Sequence, residues 1–124
     1  MTLRDILALT GLIAALSLAS VAGLPEALGA HPWWAARSGI VGSLTGVAFL
    51  LALRHLGLKT APLLWMATTG LALSLASAVL GKRAFVASFA ESVLAGRFWF
   101  FGWFGVFASL VLFIVALFLH RLNR

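Results

Sequence analysis

Residues 98–119 read FWFFGWFGVFASLVLFIVALFL, and this run contains no charged side chain. Arg97 precedes the run, and His120 and Arg121 follow it. A transmembrane helix needs about 20 mostly apolar residues, because it rises about 1.5 Å per residue through a hydrocarbon core of about 30 Å. The run therefore predicts a helix that spans a membrane from residue 98 to residue 119.

Three similar apolar runs lie upstream, at residues 6–24, 33–53 and 61–81. Each is too long for a buried strand, and none shows the two-residue alternation of a half-exposed strand. Pro25 follows the first run, and Pro62 falls in the first turn of the third, where a helix tolerates proline. We therefore expect an all-α integral membrane protein in which residues 1–124 form a single membrane domain of four transmembrane helices.

The composition agrees with a chain that is mostly embedded in lipid. Hydrophobic residues make up 63% of the 124 residues and charged residues only 10%, whereas soluble domains contain about 25% charged residues. The net charge of +6 comes from lysines and arginines near the ends of the runs, where such residues contact lipid phosphates. This placement predicts membrane lipids, and not nucleic acid, as their partners. The chain has no cysteine, which excludes disulfides and cysteine metal sites.

Matches between the two halves of the sequence predict an internal repeat. A cleaved signal peptide is an alternative interpretation of the first run, because Ser20-Val21-Ala22 has the small residues of a cleavage site. Against it, the sequence LSLAS of residues 16–20 recurs at residues 73–77. The second and fourth runs also match, so we expect two tandem helical hairpins that form a parallel repeat. The matched pairs include Trp33 with Trp99, Gly39 with Gly105, and Ser43 with Ser109.

The linker before the last run has an amphipathic pattern over residues 83–95. Laid on a helix, Phe85 and Phe89 fall on one half, and Ser88 and Glu91 fall on the other. This pattern predicts a short amphipathic helix that lies in the membrane interface before the fourth span.

The basic residues predict an orientation. The side with both termini holds five lysines and arginines, and the opposite side holds four. The positive-inside rule therefore places the N- and C-termini in the cytoplasm. Helical spans, with a composition rich in Ala, Leu, Gly and Arg, indicate a bacterial inner membrane. The residues expected at the lipid interface are Trp33, Trp34, Trp99, Trp103, Arg54 and Arg121.

Small residues recur at four-residue spacing in all four runs. Such stripes let helix backbones approach closely in lipid, where no hydrophobic effect drives helices together. Two interpretations are open, namely packing within the four-helix unit and docking onto partner subunits or further copies of the chain. The candidate packing and partner residues are Gly11, Ala15, Ala19, Gly23, Gly39, Gly42, Gly46, Gly70, Ser74, Gly105 and Ser109.

His55 and His120 lie at nearly equivalent ends of the second and fourth runs. Facing transmembrane helices can hold the iron of a b-type haem between two histidines, so this pair is a candidate cofactor site in a quinone-linked redox subunit. The alternative is a basic cluster with the neighbouring Arg54 and Arg121, which reach lipid phosphates. We expect no cofactor other than this possible haem, and no metal site.

Several absences limit the function. The middle of every run lacks the charged group that ion-coupled transporters usually need. The intrahelical serines have no histidine or aspartate nearby in sequence, so we expect no enzymatic activity. The leading hypothesis is an accessory or structural subunit that packs against a larger inner-membrane complex or associates with itself. A small oligomeric transporter or pore is another possibility, with a polar path along Thr10, Ser17, Ser43, Thr45, Ser74 and Ser109.

Overall fold

The computed structural model describes residues 3–31 and 34–122, and within them every side chain except those of Ile6 and residues 120–122. Helix is the only regular secondary structure in these ranges. Four of the helices are long and apolar enough to cross a membrane, in agreement with the four apolar runs. The helices are α1 (Leu3–Val21), α2 (Leu24–Ala27), α3 (Ala35–His55), α4 (Thr60–Ala87) and α5 (Val93–Leu122).

The four long helices pack in an open row in the order α1, α3, α5, α4. The contact between α4 and α5 is the most extensive, and the contact between α3 and α5 joins the two halves of the row. In the described part of the chain, α1 packs to a substantial extent only against α3 and the short α2. The inner helices are therefore α3 and α5, and the outer helices are α1 and α4. Within an apolar stretch of 18 residues, 6% of the residues of α1 are buried, compared with 39% of those of α5.

Glycines permit the close contacts of α5 with both of its neighbours. A Cβ atom added to Gly42 or Gly46 of α3 would lie 2.8 or 2.6 Å from a carbonyl oxygen of α5. A Cβ atom on Gly102 of α5 would lie 2.6 Å from the backbone nitrogen of Ala78 in α4. Real Cβ atoms essentially never lie this close to a neighbour. The backbone of α5 is therefore in direct contact with α3 and α4, as small residues allow in membranes.

The buried side chains form two clusters along the row. One lies at the end of the helices where α1 connects to α3 and α4 connects to α5. We call this end of the helices the loop end. The other lies at the opposite end, beside the α3–α4 connection, and is made of Leu50, Leu63 and Ala116. Large aromatic rings distinguish the first cluster, which contains Ala30, Ala35, Ala78, Trp99, Trp103, Val106 and Phe107.

The span boundaries differ from the sequence prediction, most of all at the loop end. The first two spans shift by two or three residues, whereas α4 continues to Ala87 and α5 begins at Val93. The predicted interfacial helix over residues 83–95 is not a separate element, because its first residues complete α4 and its last residues begin α5. The amphipathic pattern has the period of a helix, but the period does not show whether the helix continues a span. Phe85 packs against Trp99 instead of facing lipid.

The turn after α4 contains a strained segment. The N–H groups of Phe89 and Ala90 donate hydrogen bonds of 3.0 Å to the carbonyl oxygens of Val86 and Phe85, which is the Schellman arrangement of a helix end. Gly29 occupies the left-handed position of the same motif after α2. After α4, Phe89 occupies it with φ of 56°, and Ala90 follows with φ of 64°. A side chain in this region costs about 1–2 kcal/mol, so this turn destabilises the α4–α5 hairpin locally.

Candidate functional site

Trp99 of α5 lies at the centre of an aromatic cluster at the loop end. Its side chain is 8% exposed, and its Nε1–H donates a hydrogen bond of 3.0 Å to the carbonyl oxygen of Gly29. The rings of His31 and Trp34 each lie 5.5 Å from the Trp99 ring in edge-to-face geometry, and the ring of Phe85 lies 5.6 Å away. Aromatic pairs are attractive at these distances. The cluster therefore holds the connection between α1 and α3 against α5.

Lys82 of α4 lies beside this aromatic cluster. Its Nζ atom is 5.8 Å from the centroid of the Trp99 ring, which is within the range of a cation–π interaction. The ammonium also lies close to Gly29, since a Cβ atom at that position would be 3.3 Å from Nζ. The backbone of Gly29 has φ of +117°, which glycine adopts without a steric cost. Glycine at this position thus leaves room for the half-buried lysine.

An apolar groove of about 710 Å³ opens between α4 and the α1–α3 connection. Lys82 and Arg83 are its charged residues, and no acidic residue lines it in the part of the chain that the structure describes. Neither cation forms an ion pair with a described residue. We call this the basic groove. Its apolar walls include Leu28, Leu75, Ala78, Val79 and Trp103.

A smaller crevice of about 350 Å³ lies between α4 and α5. Its polar residues are Ser74, Ser77 and Arg97, and its apolar residues include Phe98 and Phe101. Arg97 is exposed and forms no ion pair with a described residue. Among the described lining residues, the crevice thus has one cation, whereas the basic groove has two and about twice the volume.

The predicted small-residue stripes divide into inward and outward sets. In α1, Gly11 and Ala15 are exposed, while Ala19 and Gly23 are half-buried. Among the described residues, a Cβ atom added to Gly11 would meet nothing within 4 Å. The other stripes pack inside the row: Gly39 lies against Ser20, Gly70 against Ser109, Gly105 against Ser74, and Gly42 and Gly46 against α5.

Two of the tryptophans expected at the lipid interface lie mostly inside the protein. Trp99 is 8% exposed and Trp103 is 6% exposed, so their rings pack against other side chains more than against lipid. Trp34 is half-buried, and Arg54 is exposed at the end of α3. Two expected interface residues lie outside the described set, namely Trp33 and the side chain of Arg121.

The candidate haem ligands are not described as a pair. His55 is exposed in the last turn of α3, but the side chain of His120 lies outside the described residues. No group of three metal-binding side chains occurs among the residues that were described.

Two residues of the candidate polar path lie on different faces of α3. On α3, Ser43 is fully buried and its hydroxyl has no hydrogen-bond partner among the described residues. Thr45 is exposed, and its hydroxyl donates a hydrogen bond of 2.8 Å to the carbonyl oxygen of Val41. These two residues therefore do not line the same surface of α3.

The sequence prediction counted Lys82 and Arg83 among the basic residues that orient the chain and contact lipid phosphates, and it did not identify the basic groove. A sequence signal was present, because two adjacent cations end the third apolar run. The position of Gly29 beside Lys82 depends on the packing of the α1–α3 connection, which the sequence does not reveal. The predicted packing residues, in contrast, did include both the inward and the outward glycines.

The basic groove combines apolar walls with two cations, which suits the binding of an amphipathic anion. Catalysis of bond cleavage would need a nucleophile with a base, or a metal, and the described lining residues provide no such pair. Comparisons of this chain with protein-family models, with curated proteins and with solved structures found no match.

Proposed function

We propose that this protein is a non-catalytic subunit of a larger inner-membrane complex, and that it packs against a transmembrane helix of that complex through the exposed face of α1. The observation that supports the proposal is the open position of Gly11, where a Cβ atom would meet no described atom within 4 Å. Self-association through the same face is the alternative outcome.

The surroundings of Gly11 fit a helix-docking surface. Gly11 and Ala15 are exposed between Leu7 and Leu18, which are 62% and 71% exposed. Small residues flanked by large ones give a shallow depression along the helix, into which a second helix packs closely. A mid-helix glycine is about 0.5–1 kcal/mol less favourable than alanine. Gly11 gives no packing advantage within the described chain to offset this cost.

The small residues of α3, α4 and α5 do not offer such a surface, because they are already in contact within the row. Leucine at Gly42 or Gly46 would collide with the backbone of α5. Such a substitution would damage the fold itself, and it would not test docking. Docking is therefore tested by substitutions in α1.

We further propose that the chain consists of two tandem hairpins, α1–α3 and α4–α5, in a parallel repeat. Two facts support this proposal: each hairpin packs on itself, and the hairpins meet through α3 and α5, the two helices whose sequences match. The termini are proposed to be cytoplasmic, because five basic residues lie on their side and four on the other.

The experiment compares two matched double variants in the native membrane. Gly11→Leu with Ala15→Leu fills the exposed face of α1, and Ala72→Leu with Ala76→Leu makes a matched change on an exposed part of α4. Each tagged variant is extracted into nanodiscs, and co-purifying chains are identified by mass spectrometry. Circular dichroism and thermal unfolding check that the fold is intact.

We expect the α1 variant to lose stoichiometric partner chains while the α4 variant retains them. Retention of the same partners by the α1 variant would refute docking through this face. A wild-type protein that purifies as a homo-oligomer, and becomes a monomer only in the α1 variant, would establish self-association instead of an accessory role.

A further inference from the structure

The length of α4 gives the depth at which the basic groove would lie in a bilayer. Lys82 is 22 residues beyond the first residue of α4, Thr60, which corresponds to about 33 Å along a helix. The hydrocarbon core of a bilayer is about 30 Å thick. When the start of α4 is at one interface, Lys82 and Arg83 are therefore at the other. Leu75 is two helical turns deeper, so the apolar part of the groove lies within the acyl chains.

We propose that the basic groove binds one anionic phospholipid. Lys82 and Arg83 contact its phosphate-containing headgroup, and an acyl chain lies along Leu75 and Val79 towards Trp103. The site is separate from the exposed face of α1, so this proposal does not depend on the proposed docking function.

Charge complementarity supports an anionic ligand. Both cations line the groove, no acidic residue among the described lining residues offsets them, and neither is engaged in an ion pair with a described residue. Glu26 and Glu91 also lie at the loop end. Both are exposed, and neither forms an ion pair with a described residue. The two positive charges are therefore available to a ligand.

Pre-positioning supports a specific site, in contrast to general attraction to the membrane surface. The ammonium of Lys82 is held beside Trp99, 5.8 Å from the ring centroid, and lies next to Gly29. The same tryptophan is hydrogen-bonded to the Gly29 carbonyl oxygen. A lysine that is already ordered loses less side-chain freedom when it binds a phosphate. Arg37, which is exposed on α3 and does not line the groove, lacks these contacts.

The apolar walls favour a phospholipid over a free phosphate. Val79 is 48% exposed and lines the groove about one turn deeper than Arg83. A free phosphate would leave this wall uncovered, whereas an acyl chain covers it. Substitutions in the wall therefore distinguish the two ligands.

The experiment measures lipid retention by native mass spectrometry. The full chain is reconstituted in nanodiscs that contain equal amounts of phosphatidylglycerol and phosphatidylcholine, and it is then released with mild detergent. The charge variants are Lys82→Gln, Arg83→Gln and the double variant, with Arg37→Gln as the control. The wall variant is Val79→Trp, with Leu80→Trp as its control, because Leu80 is 61% exposed on the same helix and does not line the groove.

We expect one retained phosphatidylglycerol in the wild type. Its apparent affinity should fall about fivefold for each removed cation and about 25-fold for the double variant, with no change for Arg37→Gln. Val79→Trp should release the lipid although both cations remain, and Leu80→Trp should not. Equal retention of both lipids, retention by the double variant, or full displacement by inorganic phosphate would overturn the proposal. So would a photo-cross-linker at position 79 that captures a protein chain in place of lipid.

Discussion

A pair of glycine-to-alanine substitutions tests the open row of helices directly. At Gly42 of α3, an added Cβ atom would lie 2.8 Å from the carbonyl oxygen of Phe104 and 2.8 Å from the Cβ atom of Phe107. Ordinary contact begins at 3.4 Å, so α3 and α5 would have to separate by about 0.6 Å, the difference between these two distances. At Gly11 of α1, an added Cβ atom would meet no atom within 4 Å in the part of the chain that the structure describes.

The two substitutions should therefore change the free energy of unfolding in opposite directions. Overpacking typically costs about 1–3 kcal/mol, and the backbone of α5 cannot give way as the end of a flexible side chain could. Alanine has a better helix propensity than glycine by about 1 kcal/mol. We expect Gly42→Ala to lower the stability by about 1–2 kcal/mol, because rigid backbone places the overpacking cost at about 2–3 kcal/mol and the helix propensity of alanine offsets about 1 kcal/mol of it. We expect Gly11→Ala to raise it by about 0.5–1 kcal/mol, because it gains propensity without a collision.

The assay is reversible unfolding in mixed micelles, followed by tryptophan fluorescence. Each variant is compared with the wild type at one protein-to-detergent ratio, so that the midpoints are comparable. Equal stability of Gly42→Ala and the wild type would show that α3 and α5 are not in backbone contact at this position. A similar loss at Gly11→Ala would show that α1 is already covered by another helix in the purified protein.

Three further substitutions test separate contacts by the same unfolding assay. Trp99→Phe removes the hydrogen bond to Gly29 and should cost about 1 kcal/mol of unfolding free energy. Its control is Trp65→Phe, at a position that is 74% exposed, which should cost almost nothing. Equal effects of the two substitutions would contradict a stabilising role of the hydrogen bond. Phe89→Gly removes a side chain from a left-handed position with φ of 56° and should stabilise the protein by about 1 kcal/mol; a loss of stability would show that the Phe89 ring has a packing role. Ser43→Ala deletes a buried hydroxyl without a hydrogen-bond partner and should be neutral or stabilising; a loss above about 1 kcal/mol would show that this hydroxyl is bonded.

The sequence was sufficient for the four spans, because each apolar run has the length and composition that a bilayer requires. It was not sufficient for their ends. The amphipathic pattern after Gly81 continues α4 to Ala87 instead of forming a separate helix, since the aromatic cluster around Trp99 holds Phe85. The basic groove also depends on this packing, because the α1–α3 connection and α4 meet only in the folded chain.

The small residues show most clearly what a sequence pattern leaves open. The tripeptide Thr-Gly-Leu occurs at residues 10–12 and at residues 69–71, in helices that are equivalent if the two hairpins are repeats. In the second hairpin, a Cβ atom on Gly70 would lie 2.9 Å from the Oγ atom of Ser109. In the first, Gly11 has no such neighbour, and the matching serine, Ser43, is buried without a hydrogen-bond partner. The glycine of α1 therefore does not pack against a serine of a neighbouring helix, whereas the glycine of α4 does. This difference in packing, which the two identical tripeptides do not reveal, leaves the glycine of α1 exposed, as the proposed docking of a helix from another chain requires.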